Sequence, residues 1–212
     1  MRFTRSRAAV LGAAAVMLTL TACAPPGQPG KPGVAATYED TSVTNVNVDD
    51  IYQAWLTDTQ GSDVANRRQI LTIELLRKDL LAKCDELGYP IPWATAKSYA
   101  NQWIQFTGVN GTASDDMILS TQGVLALYVV ANADPSLATL KEISDNVAKT
   151  AVVSPRSGVY STDALLSSVR AAGKAAEDQQ LGSQFSFTEY QNVTAFADEN
   201  RSWFDRGVPA TS

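Results

Sequence analysis

The stretch from Ser62 to Leu87 constrains the fold more than any other part of this chain. Ile70, Ile73, Leu76, Leu80, Cys84 and Leu87 recur at three- and four-residue spacing, with Leu71, Leu75 and Leu81 beside them. That spacing is the signature of one wide apolar face on a long α-helix. A face so broad needs partners on several sides, so the flanking sequence must supply other apolar elements. Glu74 and Lys78 are expected to pair on the outer side, one turn apart. Gly88 offers a left-handed C-terminal cap, and Pro90 prevents the helix from continuing.

Those partners are legible on both sides. Thr37 to Val48, "TYEDTSVTNVNV", alternates apolar and polar residues and predicts one or two short strands. Asp49 then caps a helix carrying Ile51 and Trp55 inward as far as Gly61. Pro92 opens another at its first turn, with Trp93, Ala96, Ala100, Trp103 and Ile104 along one face. Ser114 caps a further helix, and Asp115 and Asp116 suit its positive end. Inside it lies "VLALYVVA", Val124 to Ala131. Periodicity alone assigns that run to a strand as readily as to a helix, and the capped start and the length favour a buried helix. Asp134-Pro135 starts the next helix, with Leu137, Leu140, Ile143 and Val147 inward. "TAVVS", Thr150 to Ser154, predicts a short strand ended by Pro155 and Gly158. Ser161 or Thr162 caps a helix through Leu165, Leu166 and Val169. A last helix is expected from about Thr188, with Tyr190, Val193, Phe196, Ala197, Trp203 and Phe204 on one side. The fold class is therefore mostly α with a small two- or three-stranded β element.

The first thirty-odd residues have a different character. Arg2, Arg5 and Arg7 precede an uncharged run from Ala8 to Leu20, the pattern of a bacterial export signal. At about 1.5 Å of rise per residue the run covers about 20 Å, short of the ~30 Å hydrocarbon core of a bilayer. Leu20-Thr21-Ala22-Cys23 resembles the bacterial lipobox, in which the cysteine sulfur receives a diacylglyceryl group and becomes the first mature residue. Several acyl chains, each methylene worth about 0.8 kcal/mol in the bilayer, make such attachment effectively permanent. Ala24 to Gly33 follows with four prolines and three glycines, a composition suited to a spacer and not to a core. The expected organisation is a signal peptide over 1–22, a tether over 23–34, a helical domain over 35–160, and a helical extension over 161–212 packed on the same domain. Cys23 is the lipid attachment site, and the location is the extracytoplasmic face of the cell membrane.

Charge and residue usage narrow the function. The chain holds 17 basic and 22 acidic residues. Loss of the signal leaves 14 basic residues against the same 22 acids, a charge of −8 that disfavours nucleic acid and anionic lipid. There is no histidine, which removes the Ser-His-Asp and Cys-His nucleophile systems and the commonest metal ligand. Cys84 stands alone after acylation of Cys23 and reads as a buried thiol among leucines. Asp115-Asp116, Glu177-Asp178 and Asp198-Glu199 read as helix-start or solvated acids, and no phosphate-cradling glycine loop is present. No cofactor, metal or small-molecule substrate is implied, and no enzymatic activity is expected.

One resemblance covers roughly Ala35 to Tyr160. A short strand and helix, "VTNVNVDDIYQAW", lead into "RRQILTIELLRKDLLAKCDELGYPIP", then two more helices and a returning strand, "AVVSPRSGVY". This order is similar to the N-terminal domain of SurA-type and PrsA-type extracytoplasmic chaperones, as found in small actinobacterial lipoproteins. The family's returning strand ends in a phrase like N-P-R-[YF]-G. Ser154-Pro155-Arg156-Ser157-Gly158 keeps the proline, arginine and glycine and has serine at the other two positions. Full-length relatives carry a parvulin prolyl isomerase domain, which the 52 residues after Tyr160 do not accommodate. The resemblance implies a non-catalytic, chaperone-like module binding unfolded or exported polypeptides, with Trp55, Trp93, Trp103 and Arg156 as candidate client contacts. The alternative is a structural accessory lipoprotein docked on one membrane or cell-envelope complex.

Overall fold

The computed structural model describes residues 33–62, 65–178 and 185–197. Cys23, most of the tether, Asp198-Glu199, Trp203 and Phe204 lie outside the described residues. The described chain is mostly helical, as the sequence predicts. It contains six α-helices, one 3-10 segment and five short strands.

Strands β1 (Val34–Tyr38) and β2 (Thr41–Thr44) form an antiparallel hairpin, and β3 (Val152–Val153) joins the other side of β1. The expected returning strand is thus β3, and the sheet order is β2-β1-β3. The hairpin ends earlier than the alternation suggests. Helix α1 (Asn45–Asp58) already begins at Asn45, because Thr44 and Asn47 cap each other reciprocally. Asp49, the expected cap, lies within α1 and pairs instead with Arg67, whose guanidinium also sits 4.2 Å from the Tyr52 ring centre.

Helix α2 (Arg67–Glu86) starts five residues after Ser62, at a second reciprocal cap between Asn66 and Gln69. Ile70, Leu71, Ile73, Leu75, Leu76, Leu80 and Cys84 are all buried. Leu87 departs from the expected face: it is the cap residue and 37% exposed. Gly88, at φ 79°, closes the helix with its amide on Asp85, while the Tyr89 amide bonds Cys84. The expected Glu74–Lys78 pair does not form. Glu74 turns inward and takes Arg77 at 3.1 Å, while Lys78 reaches Glu39 and Asp40 across the hairpin turn.

Helix α3 (Trp93–Phe106) follows Pro92 as expected, burying Ala96, Ala100, Trp103 and Ile104. Helix α4 (Asp115–Ala133) is the centre of the domain and packs against α1, α2 and α3. Its cap, Ser114, is itself held by the Asp58 carboxylate through both amide and hydroxyl. Gly123 lets α4 approach α2 closely: a methyl there would lie 2.4 Å from the Ile73 Cγ2. Helix α4 is long and apolar enough to cross a membrane, and most of it is buried inside the domain.

Helix α5 (Ala138–Thr150) begins three residues beyond Pro135. Asp134 caps the turn before it, accepting from the Ser136 and Thr139 amides, and buried Leu137 adopts a left-handed conformation. After β3 and β4 (Val159–Tyr160) comes α6 (Thr162–Asp178), with Ser161 accepting from the Ala164 amide. In the described part of the expected terminal helix the chain instead forms a 3-10 segment (Ser186–Asn192) and β5 (Phe196–Ala197), which pairs antiparallel with β4. The backbone between them is satisfied from elsewhere: the Ala195 amide donates to the Thr72 hydroxyl and the Thr194 amide to Ser168. Through these contacts residues beyond 160 share the core of the residues before it.

Candidate functional site

The four residues singled out as client contacts separate into two environments. Trp55 on α1 is 1% exposed and Trp103 on α3 is 8% exposed, so both rings are core. Neither ring N–H has a hydrogen-bond partner among the described residues, so both serve as apolar bulk. Trp93, at the first turn of α3, is 41% exposed. Arg156 is exposed in the turn after β3, where buried Ser157 fixes the loop by donating to the Ala35 carbonyl. The fold therefore gives no single surface to the four. Trp93 is the exposed tryptophan of the three, and in sequence it lies between the cavity-lining residues Ile91 and Thr95.

That cavity is an apolar slot of about 220 Å³ between the α2–α3 connection, α3 and α4. Its walls include Tyr89, Ile91, Tyr99, Tyr128, Val129 and Phe187, and no charged side chain lines it. Tyr99 and Phe187 meet edge to face at 5.4 Å, and the Gln122 side chain donates to the Ile91 carbonyl at 2.7 Å, holding the connection against α4. Tyr89 is 64% exposed at this site.

A second, larger groove of about 660 Å³ lies between α4, α6 and the 3-10 segment. Tyr128 lines both cavities. Its ring meets Tyr190 edge to face at 5.3 Å, and Asn132 donates to the Tyr128 carbonyl and the Tyr190 hydroxyl. Burial raises the Tyr190 phenol above its ordinary value, so this hydroxyl stays protonated. The α6 wall carries Arg170, Lys174 and Glu177. Lys174 is paired with Asp178 at 2.6 Å, whereas Arg170 has no ion-pair partner among the described residues.

Cys84 is buried against the Ala126 carbonyl, and burial pushes its thiol up to about 11, so it stays protonated and inert. No group of three or more metal-ligating side chains converges among the described residues. The aromatic residues of the slot were not singled out from sequence. Tyr128 sits inside an uninterrupted apolar run, and Tyr89 falls in the break between two helices. The readable signal was Tyr128 itself, the one side chain in "VLALYVVA" with a polar tip that needs water or a partner.

Comparison with known proteins returns no match: no family model, no curated protein and no solved structure is similar to this chain.

Proposed function

We propose that this protein is a lipid-anchored extracytoplasmic module that binds unfolded or exported polypeptides without catalysing a reaction on them. The observation that carries this reading is the uncharged, tyrosine-lined slot with exposed Tyr89 in its wall. Exposed aromatic surface of this kind offers apolar side chains a dry contact while hydroxyl tips remain for backbone carbonyls. The lipobox ending at Cys23 and the proline-rich spacer support the location, and the order hairpin, helices, returning strand supports kinship with the SurA-type N-terminal domain. A spacer on a lipid anchor raises the local concentration of clients emerging at the membrane.

The second reading, an accessory subunit docked on one envelope complex, draws on Val152 and Val159. They are 39% and 69% exposed on short strands, a position suited to a fixed partner strand. One experiment separates the two. The tagged, lipidated protein is recovered from mild-detergent membranes, its partners are quantified, and the same preparation is added to a denaturing test enzyme. Suppressed aggregation with diffuse, substoichiometric partners supports the first reading. A constant set of integral proteins at fixed stoichiometry, without suppression, overturns it in favour of the second.

A further inference from the structure

The slot and the larger groove share a wall, and their chemistry differs in a way that specifies a ligand. Leu125, Tyr128 and Val129 of α4 line the slot, while Tyr128 and Asn132 line the groove. These residues follow one stripe of the helix. From Leu125 to Asn132 the stripe runs about 10 Å at the helical rise, the length of about three residues of extended chain. At one end every lining side chain is uncharged. At the other stands Arg170, exposed and without an ion-pair partner among the described residues, in a chain whose net charge is −5. Its neighbour Lys174 is already neutralised by Asp178. Glu177 lies two turns further along α6, about 10 Å from Arg170, where salt screens most of its repulsion.

We infer that the two cavities act as one groove for an extended polypeptide segment, which places an apolar side chain in the slot and a carboxylate, about three residues away, on Arg170. This inference rests on the polypeptide-binding reading above and adds a recognition rule to it. The slot supplies most of the affinity through apolar burial. An exposed arginine–carboxylate pair adds a modest, salt-sensitive increment and mainly sets register. The carboxylate has two sources, an acidic side chain or the segment's own C-terminus.

The test uses the full chain in detergent micelles and labelled glycine/serine peptides read by fluorescence anisotropy. One peptide carries a leucine with a glutamate three positions on and an amidated end. A second has glutamine there, and a third has glutamine but ends in a free carboxylate at that place. Arg170→Gln is expected to weaken the glutamate peptide about two- to fivefold, as an exposed ion pair allows, and to leave the glutamine peptide unchanged. Tyr89→Ser, a change at an exposed position, is expected to weaken all three. Loss confined to the third peptide with Arg170→Gln assigns the site to chain termini. Arg170→Gln having no effect, or the same effect on the glutamine peptide, overturns the inference. Absence of peptide binding by a protein that still suppresses aggregation overturns the groove and leaves the broader reading intact. Absence of both overturns the two together.

Discussion

At the scale of single residues, the tryptophans show why residue type and spacing do not decide a role. Trp55 and Trp93 both sit on helices at apolar spacing, yet one is enclosed and the other faces water. Burial is decided by what packs over a position, and sequence spacing says nothing of that. Trp55→Ala is expected to cost about 3–5 kcal/mol through the cavity it leaves, while Trp93→Ala costs under about 1 kcal/mol, as a surface change does; urea unfolding of the full chain in detergent measures both. Glu74 is a second case, since an acid opposite a lysine one turn away looks like a solvated pair. Helix α2 is covered on too many sides for that, and Glu74 is enclosed with Arg77, its Oε1 without a hydrogen-bond partner among the described residues. Desolvation raises its pKa above the ordinary carboxylate value, against the pull of Arg77. A raised folded-state value means that the folded protein binds more protons between that value and the unfolded one, so this group's contribution falls as pH rises through the window. Glu74→Gln keeps an acceptor for Arg77 and removes the charge. Wild type should therefore gain stability relative to the variant as pH is lowered towards the ordinary carboxylate value in paired melting curves. A constant difference would show that Glu74 is solvated in solution.

At the scale of elements, the existence of each helix was legible because caps and periodicity are local. The starts of α1 and α2 were not, because several residues competed for the cap. Thr44 and Asn66 won through reciprocal side-chain bonds with Asn47 and Gln69, and Asp49 was free to reach Arg67. The segment ending in β5 was misread for a different reason. Its partner strand is β4, and its amides at Thr194 and Ala195 are satisfied by Ser168 and Thr72, all distant in sequence. The slot was invisible for the same reason, being made where three separate segments meet. Gly123 is the element-scale position with the sharpest expectation. In an exposed helix Gly→Ala gains about 1 kcal/mol, but here the added methyl would meet Ile73 at 2.4 Å. Overpacking of about 1–3 kcal/mol outweighs the gain, so Gly123→Ala should destabilise. Repeating it in an Ile73→Ala background should abolish the loss or reverse its sign, and a double-mutant cycle reads that coupling.

At the scale of the whole molecule, an acidic, histidine-free chain carries its aromatic slot on the α3–α4 side and a small sheet at the chain's entry into the domain. If Cys23 is the anchor, Cys23→Ala abolishes incorporation of radiolabelled fatty acid and moves the protein from the membrane to the soluble fraction; retention in the membrane with no label would overturn the lipid assignment. The sheet has a mechanical consequence. The strand at which the chain enters the domain, β1, is the middle strand, bonded to β2 on one edge and β3 on the other. If the chain is held there by its N-terminal side, a load applied at Gly33 along β1 is shared by both ladders, which then resist in shear. A chain entering through a middle strand is thus held on two edges where an edge strand would be held on one.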